Sequence, residues 1–492
     1  VTDRETLLKE RYGEAYKWLA GFAVVLGLLT TIFSSTMINV ALTDIMDTFK
    51  ITQSSAQWMA TGFLSASSVG MLCTAWLMQA VGPRLTFALA TLLFIAGSIT
   101  GWLCGSFELL IVARLLQGVG AGLTQPLSMA LVFILFPAEI RGRAMGFFGM
   151  GVVLGPAFGP VIGGVIADNF GWQMTFIAAV PLSAIAAILG YLLLPDRKQD
   201  SVTPAFNLLS FLLITVAAGG LLTGLSNSQF EPFSDTSVYP YLVVSFIAFV
   251  LFLRREITST VPLVQLKMFK DSKLISTAVV GAFTSAGLFA SVYALPLFGR
   301  TVLDQNATEA GLLLFPAGIA LVIVFPLVGR LIDSIPVHRL IVSGQVLFVI
   351  SLLVISYADG SSSYLYLAGW ILVSRIALGL IMPSNSTYSL SIVKPEEVTQ
   401  ASGALNFVRM LGGTIGVNLT ALLITARTNL YSKDAELAGM DLGSFEAKIT
   451  IFTHTFQDCF LVVGLVFSLA LIPSLYVAFS NGAFKMQKSP AE

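Results

Sequence analysis

Apolar residues in this chain gather in runs of about twenty, enough at 1.5 Å per helical residue to cross roughly 30 Å of hydrocarbon, and short polar connections part the runs. The runs predict fourteen transmembrane helices, at 17–42, 54–80, 85–104, 108–135, 141–167, 172–194, 205–225, 238–253, 273–298, 308–332, 338–357, 363–390, 398–426 and 453–479. The eighth is the shortest. The pattern is that of an all-α membrane protein.

Orientation follows from the basic residues, because cytoplasmic connections retain Lys and Arg. With the N-terminus inside, nineteen of the 27 fall on the cytoplasmic side, among them Arg84, Arg141, Arg143, Arg197, Arg254, Arg255, Arg330 and Arg339. Five fall outside: Lys50, Arg300, Arg427, Lys433 and Lys448. An odd number of helices would spoil this alternation, so both termini are expected in the cytoplasm. The longest cytoplasmic connection, 254–273, and the longest external one, 427–452, hold about 20 and about 26 residues, too few for a folded soluble domain. Any chemistry must take place within the bundle.

Composition agrees. The 492 residues are 56% hydrophobic and only 11% charged, against about 25% charged in soluble domains. The 27 acidic residues balance the basic ones, leaving no basic face for nucleic acid. Cys73, Cys104 and Cys459 are too few and too scattered for a disulfide framework or thiolate metal cluster. No cofactor or metal is expected. The segment from Val1 to Lys17 carries both charge signs and leads into about 25 apolar residues, too many for the core of a cleaved signal peptide.

The halves of the chain match weakly. The connection after the second span reads Gly82-Pro-Arg84-Leu85; that after the tenth reads Gly329-Arg-Leu-Ile-Asp333, followed by His338-Arg339-Leu340. Each sets a basic residue at the start of the next helix. Without spans seven and eight the chain divides six plus six, which makes those two an insertion. The fifth span carries the most specific pattern, Gly151-Val-Val-Leu-Gly155-Pro156-Ala-Phe-Gly159-Pro160-Val-Ile-Gly163-Gly164. Its glycines stay within about 120° of one helix face. Such a stripe lets a neighbouring backbone approach closely, while the prolines remove two donors and should bend the helix.

Further patterns join it: Arg114-Leu-Leu-Gln117-Gly118-Val-Gly120 in the fourth span, Thr36-Met-Ile-Asn39-Val-Ala41-Leu42 in the first, and Pro262-Leu-Val-Gln-Leu-Lys-Met-Phe269 before the ninth. Ala310-Gly311 enters the tenth, and Asn406-Phe-Val-Arg409-Met-Leu-Gly412-Gly413-Thr-Ile-Gly416 lies in the thirteenth. On these residues, over nearly its whole length, the chain resembles the major facilitator superfamily, and within it the fourteen-helix drug:proton antiporter branch of EmrB- and QacA-like exporters. The resemblance implies two six-helix bundles, at 1–200 and 261–492, with two linker helices inserted at 201–260. It also implies alternating access, multidrug efflux with proton antiport, and a place in the bacterial cytoplasmic (inner) membrane. Its expected partners are the lipid bilayer and a small-molecule substrate; EmrB-like members also work with a periplasmic adaptor and an outer-membrane channel. Gly151, Gly155, Pro156, Gly159, Pro160, Gly163, Gly164, Asp333 and Arg339 become candidates for a role in conformational change. Two places depart from the family. Ser34 stands where an acidic residue usually precedes the first-span threonine, which removes the usual support for proton coupling there; Gln79 replaces the Asp of the loop after the second span.

An ionisable group within a span costs roughly 2.5–3.5 kcal/mol to insert and marks a functional candidate. Three arginines qualify. Arg114 lies about 9 Å from the end of its span, and Arg375 and Arg409 about 16–18 Å in. With Ser34, Asn39, Gln117, Gln125, Asn385 and Asn406 they are the candidate cavity residues. The competing role for the arginines is structural, donating to backbone carbonyls of adjacent helices. No Asp or Glu falls in the middle third of a span. The proton-coupling candidates are therefore Asp458, with His454 one turn before it, and Glu309 at the mouth of the tenth span; Asp44 lies just beyond the first. Three buried cations without a buried anion suit an anionic amphiphile better than a cationic one. The readings are thus a multidrug exporter, a dedicated exporter of an anionic metabolite such as a siderophore or fatty acid, and, remotely, a membrane-embedded enzyme.

Overall fold

The computed structural model describes residues 3–197, 205–229, 231–305, 314–442 and 444–480, and every regular element among them is a helix. Among the described residues, eleven helices are long and apolar enough to cross a membrane, and Pro316–Ile332 is a shorter apolar one. Polar residues at the ends of the apolar runs set where helices begin. Ser106, Asn207, Asp271, Ser363 and Ser444 each accept a hydrogen bond from a first-turn backbone N–H, satisfying a donor that the helix cannot.

Several boundaries differ from the sequence expectation. The second and third runs form one helical stretch, Trp58–Trp102, broken only at Gly82. The expected long connection at 427–452 is mostly helix, because Val398–Leu437 continues past its apolar part and the next helix opens at Phe445. Hydropathy falls off after residue 426, but Ala, Leu, Lys and Glu are good helix formers and extend a helix already nucleated. The eighth run likewise reaches Thr258. The last divides into Phe445–Ser468 and Leu471–Ser480.

The helices form two compact units, one drawn from Val1–Lys267 with Lys394–Phe407, the other from Met268–Val393 with Val408–Glu492. In unit one, Leu208–Asn227 and Tyr239–Thr258 pack on each other through the Ser245 hydroxyl, which donates to the Ala217 carbonyl at 2.6 Å. The first of them is tied to Trp58–Trp102 by Thr61 and Ser226, 3.3 Å apart. From Val243 to Leu251 the face of Tyr239–Thr258 turned away from the unit is apolar, with Val243, Phe246, Ile247 and Val250 exposed. Lipid is the solvent for such a face. Unit two closes on an aromatic core in which Phe298, Phe348, Phe456, Phe460 and Phe467 are almost fully buried.

Four buried threonine hydroxyls find acceptors one turn back in their own helices: Thr30 on Gly27, Thr91 on Phe87, Thr124 on Gly120 and Thr284 on Val280. That local bond meets the hydroxyl's need where water is absent.

One clasp stands out at the break in Trp58–Trp102. Gly82 has φ +85° and lies against the backbone of Arg197, so close that a Cβ would come within 2.6 Å of its nitrogen. Only glycine adopts that backbone freely and leaves that space. Arg84 donates to Asp196 at 3.0 Å and lies 3.7 Å over the Tyr191 ring, and Arg197 donates to the Ala80 carbonyl at 2.9 Å. Arg4 donates to the carbonyls of Tyr191 and Leu192. Gly82→Ala is expected to lower the unfolding temperature of the purified protein, since backbone strain of about 1–3 kcal/mol adds to the clash. Gly105→Ala, with nothing within 4 Å, should leave it unchanged. Equal melting of the two variants would contradict the clasp.

Candidate functional site

Arg114, Gln117 and Ser34 converge in unit one. Gly118 allows close approach to the Phe63 carbonyl, and Gly97 to that of Ala113, so three helical segments meet around Arg114. Arg114 is 1% exposed. Its Nε donates to the Met59 carbonyl at 3.0 Å, one terminal nitrogen donates to Gln117 Oε1 at 3.0 Å, and the guanidinium lies 4.3 Å over the Phe63 ring. Gln117 passes the network on, donating to Ser98 at 2.9 Å and Ser34 at 3.3 Å. Among the described residues no carboxylate pairs with this arginine. It is held instead by dipoles and an aromatic face, which compensate a cation in low dielectric without a counter-ion. Position 34 lies one glutamine away from the guanidinium, so the serine there leaves the network free of a titrating group. Of the side chain of Asn39 nothing is described.

The glycine stripe of the fifth run lies along the first helix. The helix Arg141–Phe170 runs unbroken through Pro156 and Pro160, which face outward, while its glycines face Ala15–Val40. A Cβ at Gly151 would come within 2.7 Å of Val25; at Gly155 it would fall on Ile32, at Gly159 on Thr36, and at Gly163 within 2.7 Å of the Met37 backbone. Gly164 is roomier, with Val40 at 3.7 Å. The Thr36 hydroxyl closes the contact by donating to the Gly155 carbonyl at 3.1 Å. Where lipid tails are as apolar as Leu, such fit is what holds two helices together.

The first turns of Val398–Leu437 belong to unit one. There Ser402 donates to the Pro126 carbonyl at 2.8 Å, and Gln125 donates to Asn406 Oδ1 at 3.2 Å. Gln125 and Asn406 are therefore brought together, while Arg114 lies about three turns from Gln125 along their shared helix, Phe107–Leu135.

Unit two holds Arg375, Asn385 and Arg409. Arg375, 3% exposed, donates to Ser291 at 2.9 Å, and its other terminal nitrogen is buried without a partner. Asn385 donates to the Thr277 carbonyl at 2.9 Å and leaves its own oxygen unpartnered. Gly281 makes room for both Asn385 and Arg409, whose nearest atoms lie 3.4 and 3.1 Å from where a Cβ would stand. A second close helix pair follows: Gly412 and Gly416 lie against the backbone of Ala282 and Ala286.

The expectation of three buried cations and no buried anion needs correction. Arg409 is only half-buried, and Glu256 is 4% exposed. Glu256 sits in the last turn of Tyr239–Thr258, accepting from the Val264 N–H at 2.6 Å with its other oxygen unpartnered. Its position straight after Arg254 and Arg255, beyond the shortest apolar run, hid it; the chain folds back over it at Val264. Asp458 accepts from Tyr431 at 2.6 Å and pairs with Arg427 at 3.4 Å, while exposed His454 lies against the Tyr431 ring. Glu309 lies outside the described residues. Asp333 is half-buried and Arg339 exposed.

A family model described as the Major Facilitator Superfamily matches residues 24–417. The lincomycin resistance protein LmrB of Listeria innocua is 28% identical over 448 residues, covering 91% of this chain and 93% of its own. The multidrug export protein EmrB of Escherichia coli is 27% identical over 414 residues, covering 83% and 80%. Among solved structures, the human organic anion transporter MFSD10 (TETRAN) superposes with a TM-score of 0.63 at 14% identity, covering 93% of this chain and 99% of that one. The proton:xylose symporter XylE gives 0.59 at 15%, covering 92% and 95%. At such identities these two establish the fold alone.

Two outcomes are expected from the packing. Gly159→Val should abolish transport while Gly164→Ala preserves it, measured as flux in proteoliposomes; equal activity would contradict a tight stripe. Arg114→Lys should lose the fork that reaches Met59 and Gln117 together and lower the unfolding temperature, by about 1–3 kcal/mol of stability for the groups left unpaired. An unchanged melt would show the network to be dispensable.

Proposed function

The chain belongs to the Major Facilitator Superfamily, and we propose that it is a secondary active exporter of amphipathic small molecules that works by alternating access. The observation that carries this reading is the glycine stripe of Arg141–Phe170 seated along the first helix, a close-packed pair of the kind on which one helix can rock against another. Relatives named for lincomycin resistance and multidrug export, similar over 91% and 83% of this chain, support the direction of transport. A bilayer-embedded substrate path suits amphiphiles, because the bundle offers apolar walls with a few buried polar groups.

We infer fourteen spans. The eleven long helices become fourteen when Trp58–Trp102 is divided at Gly82 and when Pro316–Ile332 and Tyr239–Thr258 are added. The excess of Lys and Arg then puts both termini in the cytoplasm, and the bacterial cytoplasmic membrane is the corresponding location. The proposed division remains two six-helix bundles, 1–200 and 261–492, with 201–260 as the inserted pair. A periplasmic adaptor and outer-membrane channel are proposed partners by analogy with EmrB.

Energy coupling is proposed to be proton antiport through Asp458. With Ser34 in place of an acid, the Arg114 network has no carboxylate, whereas the Asp458 carboxylate contacts the Arg427 guanidinium and accepts from the Tyr431 hydroxyl. The test is dye movement in proteoliposomes under an imposed pH gradient. Wild type is expected to drive the dye only with the gradient, and Asp458→Asn to lose the gradient dependence. Undiminished gradient-driven flux in Asp458→Asn would remove Asp458 from the coupling path, and no flux in wild type would overturn the exporter reading itself.

A further inference from the structure

A groove opens in unit one where the pair Leu208–Asn227 and Tyr239–Thr258 meets Trp58–Trp102 and Phe107–Leu135. It holds about 500 Å³ and is lined almost wholly by apolar atoms. Its origin lies in two consecutive glycines. Gly220 meets the Tyr241 carbonyl, and the Ala217 carbonyl accepts from Ser245, which joins the two helices of the pair. Gly219, about 100° round the helix from Gly220, has nothing within 4 Å of where a Cβ would stand. The groove is the space that a side chain at this position would otherwise enter.

What fills it follows from where it lies. Three of its walls are helices long and apolar enough to cross a membrane, and the fourth, Tyr239–Thr258, carries the apolar face of Val243 and Ile247. Leu115, Val216 and Val244 line the groove and are exposed, so it opens on that same lipid-facing surface. Water is a poor occupant, because each molecule needs about two to four polar partners, and Ser65 and Thr223 bring one hydroxyl each. An empty groove would forfeit the van der Waals contacts of its lining. Trp58 and Tyr241 stand at the first turns of their helices, and Trp and Tyr gather at headgroup level. They mark the end nearest the membrane surface. From Trp58 the groove runs inward to Ser65, about 10 Å along the helix.

We propose that this groove binds one acyl chain of a bilayer phospholipid, with the headgroup at the level of Trp58 and Tyr241 and the chain between Gly219 and Leu115. No charged residue lines it, so it selects a chain and not a headgroup. The bound chain fills the gap between the inserted pair and the bundle. It also packs on the turn of Phe107–Leu135 that carries Arg114, next to Leu115. The site follows from the place of the protein in a membrane and is independent of the substrate transported.

The test titrates the full chain, in detergent micelles, with phosphatidylcholine carrying brominated acyl chains. Quenching of Trp58 is read as the difference between matched proteins with Trp58 and with Trp58→Phe. In wild type it is expected to saturate with a single lipid per chain, and phosphatidylglycerol with the same chains should give the same midpoint. Gly219→Phe, whose ring enters the groove, should need about tenfold more lipid. Unbrominated phosphatidylcholine should raise the unfolding temperature of wild type and not that of Gly219→Phe. In lipid-free detergent the variant should melt no lower than wild type. Val244→Phe fills the groove from the opposite wall and is expected to behave alike, which keeps the test open if Gly219→Phe does not fold.

Quenching that rises in proportion to lipid content, equally in wild type and the filled variants, overturns the proposal. A dimer that forms when lipid is removed and is lost in Gly219→Phe also overturns it, by giving the groove to a second copy of the chain.

Discussion

In hydrocarbon a polar group has only the protein to bond with, and this one constraint explains most of what the chain does with its few polar residues. Many buried Ser and Thr turn back on their own helices. Arg114 gathers a carbonyl, an amide and a ring. Gln117 extends that network to hydroxyls on two further segments. Satisfied in this way, a buried cation becomes a fixed strut, and the same position that resembles a transport motif also holds unit one together. Arg375 and Asn385 in unit two are satisfied only in part.

The same constraint removes the usual reason for helices to associate. Apolar side chains gain little by leaving lipid for another helix, so contact depends on close fit. Glycine provides it in both units: Gly155, Gly159 and Gly163 against the first helix in one, and Gly412 and Gly416 against Ala282 and Ala286 in the other. Two surfaces of small residues can rearrange without uncovering large side chains, a property suited to a protein that must change conformation in every cycle.

Much of this was legible in the sequence, for identifiable reasons. Helix positions follow from runs of apolar residues because lipid tolerates little else, and the stripe at Gly151–Gly163 could be read because its period and its prolines are both unusual. What stayed hidden depends on tertiary approach. The helix extending to Leu437 lies beyond the apolar signal, and the burial of Glu256 requires the chain to fold back at Val264. The three arginines look alike in sequence, yet one is held by two hydrogen bonds and a ring, one by a single hydroxyl, and one is only half-buried. Partners on other helices make that difference.

A carrier that exposes one site alternately to each side exchanges substrate across the bilayer without net driving force. Counterflow measures this directly: proteoliposomes are preloaded with unlabelled amphiphile and diluted into labelled amphiphile, with no pH gradient, no membrane potential and no nucleotide. The account predicts a transient accumulation of label above its equilibrium level, followed by decay. A monotonic approach to equilibrium at a rate above that of empty liposomes would indicate an open pore and contradict alternating access.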